Sequence, residues 1–145
     1  MKNIYHLNHD TISNRMKCFG IDYGTKRIGI AVSNEAGTVA FPRLILENNR
    51  DAVWKIIELI KKENAGRIVI GKSLDGDGKE NKLMSDIKEF IGFLELGINL
   101  PIFLEKEYFT SIEARRFQGG SKVDDSAAAI ILQRYLDKQK LLKTK

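Results

Sequence analysis

An aspartate lies inside a strand–turn–strand pattern near the start of the sequence. Two apolar runs, at residues 18–21 and 28–32, flank a turn at Gly24 and Thr25, which is the composition expected of a β-hairpin. Asp22 ends the first run. A carboxylate there costs several kcal/mol unless it is paired, hydrogen-bonded or bound to a cation. We therefore expect the fold to bring a partner to Asp22.

The composition indicates one globular domain. At 145 residues, with 43% hydrophobic and 30% charged residues, the chain is long enough for a core and too short for two typical domains. We expect this domain at residues 16–140, after an extension at 1–15 and before a basic tail at 141–145. The extension is either a disordered tail or the product of a start codon assigned upstream of Met16. Its His6 and His9 are interpreted as part of that tail rather than as metal ligands.

Several function classes are disfavoured by the same composition. No apolar run approaches the roughly 20 residues that span a bilayer, and no secretory signal is visible, so we expect no membrane partner. The single cysteine, Cys18, cannot form an internal disulfide, which favours a cytoplasmic location. The net charge of +5 favours anionic partners, with nucleic acid first.

The order of predicted elements indicates a mixed α/β sheet. A third strand at 39–46 contains Pro42, which predicts a sheet edge or a bulge. Helices then alternate with buried strands, which predicts parallel pairing through right-handed crossovers. Asn48 and Asn49 offer caps for the first helix, Gly66 its end, and the residues Thr110 to Glu113 a capping box for a short helix. The predicted positions are helices near 50–64, 83–97 and 123–138, and strands at 67–71 and 101–104.

Acidic residues follow the predicted strands at several places. In an open α/β sheet, function gathers at the carboxyl ends of the parallel strands. Asp124 shares a helical stripe with Ala128 and Ile131, so it should face the protein. Each acid also has an ordinary interpretation as a helix cap, a turn or a solvated strand end. The set comprises Asp22, Asp75, Asp77, Glu105, Glu107, Asp124 and Asp125.

A cluster of carboxylates would need a cation to offset its repulsion. Oxygen-only ligands suit Mg²⁺ or Mn²⁺, and two such ions about 4 Å apart can activate a water against a phosphodiester. Basic residues near the same edge would attract the phosphates. They are Lys26, Arg27, Lys72, Lys79, Arg115, Arg116 and Lys122.

Four blocks of sequence carry a family resemblance. They are residues 20–29; Ile70 and Gly71 with Leu74, Asp77 and Gly78; Glu107 with residues 110–115; and residues 122–132. In this order they resemble the pre-16S rRNA nuclease family, also called YqgF-type or Holliday-junction-resolvase-like, of the ribonuclease H-like superfamily. The resemblance covers residues 17–137.

The resemblance implies a fold and a site. The fold is a ribonuclease H-like, mixed five-stranded sheet of order 3-2-1-4-5 with strand 2 antiparallel, flanked by helices. Catalysis and metal binding fall to Asp22, Glu107 and Asp124, the last in preference to Asp125. Substrate-binding residues are Lys26, Arg27, Arg115 and Lys122. The chain departs from the family pattern at Lys72, Ser73, Lys106 and Tyr108.

One physical difficulty accompanies this assignment. In that strand order Glu107 starts about 10 Å from Asp22, at roughly 4.8 Å per strand. Either Glu107 leans inward or Asp77, on the adjacent loop, takes part.

The leading functional hypothesis is a nuclease that uses Mg²⁺ or Mn²⁺, with two ions expected, to cleave structured RNA. The resemblance implies 5′-end maturation of precursor 16S rRNA, with ribosomal particles as further partners. The rival activity is Holliday-junction cleavage on branched DNA, which would need a symmetric dimer. Whether the protein is a monomer or a homodimer stays open. A catalytically silent nucleic-acid-binding module is disfavoured because the sequence contains all three implied metal ligands, Asp22, Glu107 and Asp124. An ATPase of the sugar kinase and actin type is disfavoured because it needs two such domains.

Overall fold

The sheet has the predicted strand order. The structure, a computed structural model, describes residues 16–73, 81–106 and 123–143, with side chains of the last helix described from 127 to 142. The order is β3-β2-β1-β4-β5 in a five-stranded sheet. The strands are β1 (Cys18–Tyr23), β2 (Arg27–Ser33), β3 (Ala40–Glu47), β4 (Arg67–Lys72) and β5 (Ile102–Lys106). The helices are α1 (Ala52–Glu63), α2 (Lys82–Gly97) and α3 (Val123–Lys143).

The pairing combines a meander with parallel crossovers, as predicted. β2 is antiparallel to both β1 and β3, whereas β1 and β4, and β4 and β5, are parallel. In the parallel part Ile21 lies opposite Ile70, and Ile70 lies opposite Leu104. This register places the carboxyl ends of β1, β4 and β5 together, at what we call the carboxyl end of the sheet.

The two faces of the sheet have separate cores. On one face, alternate strand residues such as Ile21 and Ile70 pack against α1 and α2. On the other face, Cys18, Ala31 and Val69 pack against α3. The predicted apolar stripe of α3 is confirmed as buried: Ala128, Ile131, Leu132, Tyr135 and Leu136.

Gly20 is a point of close approach between α3 and the sheet. A Cβ atom at this position would lie 2.9 Å from Leu132 Cβ and 3.4 Å from the Ala128 carbonyl oxygen. Real side chains do not tolerate the first distance, so glycine allows the helix to lie directly on β1. The helix that carries Asp124 is therefore packed on the strand that carries Asp22.

The prediction for β3 is confirmed. β3 is an edge strand, and its register with β2 shifts between Ile30 and Ala31, with Ala31 opposite Pro42. The missing N–H of proline is tolerated where the ladder is already interrupted.

The predicted helix ends need correction. α1 begins after Asp51 rather than at the asparagines, and the Asn49 side chain accepts the Asp51 N–H at 3.0 Å. α1 ends at Asn64, whose φ of 57° is left-handed, and not through Gly66. Asparagine tolerates this conformation, and the Asn64 N–H remains bonded to carbonyls of the last turn. α3 continues to Lys143, beyond the predicted end.

The prediction that β5 is buried was wrong. Phe103 and Leu104 are 39% and 42% exposed, whereas Glu105 is only 4% exposed. β5 is an edge strand, so its burial depends on which helix covers it and not on its apolar run. The extension at 1–15 and the capping box at 110–113 lie outside the described residues. Among the described helices, none has the length and apolarity to cross a membrane.

Candidate active site

Asp22 lies half-buried at the carboxyl end of β1. Successive strand residues point to opposite faces, so Asp22 shares a face with Cys18 and Gly20. This is the face that α3 covers, because Gly20 meets Leu132 there. Ile21 and Tyr23 belong to the opposite face, with α1 and α2. The strand therefore presents its one carboxylate toward α3.

Helix α3 runs antiparallel to β1. Near the start of β1, Cys18 lines a cavity together with Leu136 and Asp137. Two residues later, Gly20 meets Leu132 and Ala128. Continuing this direction brings the first turn of α3 toward the carboxyl end of β1. The backbone positions of Asp124 and Asp125 are in that turn, and their side chains lie outside the described part of the chain.

A row of three residues crosses the sheet at the level of Asp22. Gly71 of β4 pairs with Glu105 of β5, and the next position of the β1–β4 ladder after Ile21 and Ile70 places Asp22 beside Gly71. At about 4.8 Å per strand, the Asp22 and Glu105 backbones are roughly 10 Å apart. The glycine between them adds no side chain to this row.

The end of β5 is bound to α3 by two contacts. The buried Glu105 carboxylate lies 2.6 Å from the Lys138 ammonium group, and the Arg134 guanidinium donates a hydrogen bond to the Lys106 carbonyl at 3.4 Å. The interpretation of Glu105 as a solvated strand end is therefore wrong, because its carboxylate is buried against α3. The contacts tie together the two elements that lead to Glu107 and carry Asp124.

The β1–β2 hairpin places basic residues at the same end of the sheet as Asp22. Lys26 and Arg27 are exposed there. The Asn48 N–H donates to the Lys26 carbonyl at 2.8 Å, and the Asn48 side-chain amide donates to the Gly24 carbonyl at 2.8 Å. Gly24 is required in this tight turn, since a Cβ atom would lie 2.6 Å from the Arg27 carbonyl oxygen. The hairpin is thus fixed beside Asp22.

The other predicted site residues are outside the described ranges. They are Glu107, Arg115, Lys122 and the alternative acid Asp77. In the described part of the chain, no three histidine, cysteine, aspartate or glutamate side chains are grouped to hold a metal ion. The assignment of Asp22, Glu107 and Asp124 as metal ligands therefore stays a prediction, and of these three side chains the structure describes only that of Asp22.

The sequence interpretation missed an aromatic cavity. It lies at the same carboxyl end of the sheet as Asp22, on the face that α1 and α2 cover. It has a volume of about 400 Å³ and is lined in part by Tyr23, Trp54 and Phe93. A signal was present in α1, because Trp54 falls outside the apolar stripe of Val53, Ile56, Ile57 and Ile60. A single exposed aromatic residue is ordinary, so Trp54 becomes informative only because Phe93 of α2 lines the same cavity.

Two solved structures of other proteins share this fold. RuvC of T. thermophilus, in a structure with a Holliday junction substrate, is similar over 86% of this chain and 96% of that chain, with a TM-score of 0.58 and 14% identity. The fowlpox virus Holliday junction resolvase is similar over 85% and 99%, with a TM-score of 0.55 and 16% identity. The chain has the ribonuclease H-like fold of RuvC-like resolvases.

The family follows from the sequence comparisons. A family model described as "RuvX: Holliday junction resolvase" matches residues 16–138. A Lawsonia intracellularis relative named "Putative pre-16S rRNA nuclease" is 38% identical over 133 residues, covering 84% of this chain and 94% of the relative. An Orientia tsutsugamushi relative of the same name is 37% identical over 127 residues, covering 81% of each. The chain belongs to this family of nucleases and is a hydrolase, which confirms the resemblance.

Proposed function

We propose that this protein is a metal-dependent nuclease that cleaves structured RNA in the 5′-end maturation of precursor 16S rRNA. The observation that carries the proposal is the position of Asp22, at the carboxyl end of β1 on the face where α3 lies. The names of the relatives support RNA as the substrate. Precursor rRNA, ribosomal particles and a cytoplasmic location are parts of this proposal.

The donor set fits a hard divalent cation. Asp22, Glu107 and Asp124 would hold Mg²⁺ or Mn²⁺ through carboxylate oxygens, and Gly71, on the strand beside Asp22, adds no side chain at this level of the sheet. A bound pair of ions would supply water activation and charge stabilisation for phosphodiester hydrolysis. The chain's own part is to hold the substrate phosphates against this edge, through Lys26 and Arg27 of the hairpin. Arg115 and Lys122 are proposed for the same role.

Holliday-junction cleavage is the second candidate. The description of the matching family and the RuvC-like fold favour it. The same carboxylates would serve either substrate. This activity also requires two symmetric sites, so it predicts a stable homodimer.

One cleavage assay separates these activities. Labelled precursor rRNA, single-stranded RNA and four-way-junction DNA are each incubated with the protein in Mg²⁺, in Mn²⁺ and in chelator. The matched variants are Asp22→Asn and Glu35→Gln, which changes an exposed carboxylate in the β2–β3 connection at the other end of the sheet. We expect metal-dependent RNA cleavage that Asp22→Asn abolishes and Glu35→Gln retains. Cleavage of the junction alone would favour the second candidate, and binding without turnover would favour a silent module. Equal cleavage by Asp22→Asn would contradict the proposed site.

A further inference from the structure

An aromatic cavity opens at the same end of the sheet as the proposed active site, but on the face covered by α1 and α2. Tyr23 contributes to its lining and directly follows Asp22 in β1. Its volume of about 400 Å³ is at the lower end of the roughly 300–1,000 Å³ range of small-ligand sites. The space therefore suits a small group better than a large ligand.

Two aromatic side chains of the cavity are held in exposed positions. Trp54 of α1 is 53% exposed and Phe93 of α2 is 47% exposed. Below them, the rings of Tyr23 and Phe90 are in contact, with centroids 5.0 Å apart. Phe90 is buried, so the floor belongs to the core while the two rings above it remain accessible. Accessible aromatic rings are the surfaces on which single-stranded nucleic acids stack their bases.

Charged groups around the cavity favour a nucleic acid as the occupant. Arg50 lines it and is exposed, and a guanidinium group can bind a phosphate or stack on a base. The cavity is joined to the basic hairpin through Asn48, which lines the cavity and bonds the carbonyls of Lys26 and Gly24. Glu89 also lines the cavity, and its carboxylate disfavours a phosphate there while it can accept hydrogen bonds from a base.

We infer that this cavity binds one unpaired nucleobase of the nucleic-acid substrate, stacked on Trp54 and Phe93, while the adjoining phosphates contact Lys26, Arg27 and Arg50. The inference deepens the proposed function, on which it rests for the identity of the substrate. A base inside a duplex is already stacked and paired, so the cavity selects strands with unpaired nucleotides, such as loops and ends. It would accept RNA or DNA, because every base has a π-face.

Trp54 provides a direct readout because it is the only tryptophan in the chain. Tryptophan fluorescence of Asp22→Asn, in chelator, is titrated with a short oligoadenylate, with the same strand in a duplex, and with an abasic strand of equal charge. We expect quenching by the single strand and little by the duplex or the abasic strand. Phe93→Ala should weaken single-strand binding about 5- to 150-fold, which corresponds to about 1–3 kcal/mol for one stacked base.

The matched control is Phe41→Ala. Phe41 is a phenylalanine of similar exposure, 50%, near the start of β3 and hence at the other end of the sheet. This variant should bind the single strand as the parent does. Trp54→Phe and Trp54→Ala are compared by fluorescence anisotropy of a labelled strand, where phenylalanine should retain most of the affinity that alanine loses.

Three results would overturn the inference. They are unchanged fluorescence on binding, equal binding of the abasic strand, and equal losses in Phe93→Ala and Phe41→Ala. Concentration-dependent burial of Trp54 without nucleic acid, with dimers in sedimentation, would show that a second copy occupies the cavity. Quenching by the single strand without any cleavage by the wild-type protein would support base binding in the cavity and contradict the proposed nuclease activity. Cleavage by the wild-type protein together with unchanged binding in Phe93→Ala would support the nuclease activity and contradict base binding in the cavity.

Discussion

The Lys138 ammonium nitrogen lies 2.6 Å from the Glu105 carboxylate oxygen and closes an ion pair between α3 and β5. The two side chains differ in environment, since the Glu105 side chain is almost fully buried and the Lys138 side chain is 59% exposed. The pair therefore satisfies a buried carboxylate with a cation that reaches in from the surface. It also fixes the strand that leads to Glu107 against the helix that carries Asp124.

Lys138→Met should leave the Glu105 carboxylate buried without this cation. We expect the free energy of unfolding to fall by about 1.5–3 kcal/mol, the usual contribution of a hydrogen bond to a charged group. Urea denaturation measures the loss. Lys140→Met, at an exposed lysine on the same helix, should change the free energy by less than about 0.5 kcal/mol. Equal losses in the two variants would show that the pair contributes nothing.

Gly20→Ala should separate α3 from β1. The added Cβ atom would lie 2.9 Å from Leu132 Cβ, so the helix must shift, at a cost of about 1–3 kcal/mol. Gly92→Ala is the matched control because a Cβ atom there, within α2, meets nothing within 4 Å. It should stabilise the protein by about 0.5–1 kcal/mol through helix propensity. Thermal denaturation should show a lower melting temperature for Gly20→Ala and a higher one for Gly92→Ala. An unchanged melting temperature in Gly20→Ala would contradict the close packing of α3 on β1.

Glu63 should make stability depend on pH in the acid range. Burial raises the pKa of this carboxyl, but the hydrogen bond from Lys17 and the charges of Arg43 and Lys17 outweigh it and bring the pKa below its ordinary value of 4.5. Because this pKa is lowered, ionised Glu63 stabilises the folded state above pH 4.5. The stabilisation is lost as the pH falls through the pKa that Glu63 has in the folded protein.

Glu63→Gln should therefore be less stable than the wild type at neutral pH, and the difference should shrink in acid. The free energy of unfolding, measured by urea denaturation at several pH values, gives the comparison. Glu58→Gln, at an exposed glutamate of α1, is the matched control, and at neutral pH it should lower the free energy of unfolding less than Glu63→Gln does. A constant difference for Glu63→Gln across the acid range would contradict the lowered pKa.

Cys18 should be unreactive in the folded protein. Burial raises the pKa of its thiol above the ordinary 9.0, against the opposing effects of the Arg67 charge and the Ser33 hydroxyl. Since the thiolate is the reactive form, alkylation by iodoacetamide at neutral pH should be slow. Mass spectrometry should show rapid labelling only after denaturation. Labelling at the same rate in both states would refute the burial of the thiol.

The sequence predicted those features that depend on local periodicity. The buried stripe of α3 and the buried run of β4 were correct because one spacing defines one face. The edge position of β3 followed from Pro42, which removes a ladder donor. Asp22 was singled out because a carboxylate is unusual beside apolar strand residues. All of these signals lie within a single element.

The features that the sequence did not predict depend on contacts between elements. Glu105 is buried because Lys138, distant in the chain, reaches it from α3. β5 is exposed because no further strand covers its edge in the described sheet. The aromatic cavity combines β1, α1 and α2, so no one segment shows it. Such arrangements follow from helix placement, which a periodic pattern does not determine.

We propose that folding gathers Asp22, Glu107 and Asp124 into a site for divalent cations. Titration calorimetry with Mn²⁺ measures binding at this site without any nucleic acid. Wild type and Glu35→Gln should bind Mn²⁺ with equal affinity. Asp22→Asn should bind about tenfold more weakly or worse, since even the loss of a supporting residue in a metal site typically costs that much. Equal Mn²⁺ affinity in Asp22→Asn and wild type would contradict the account.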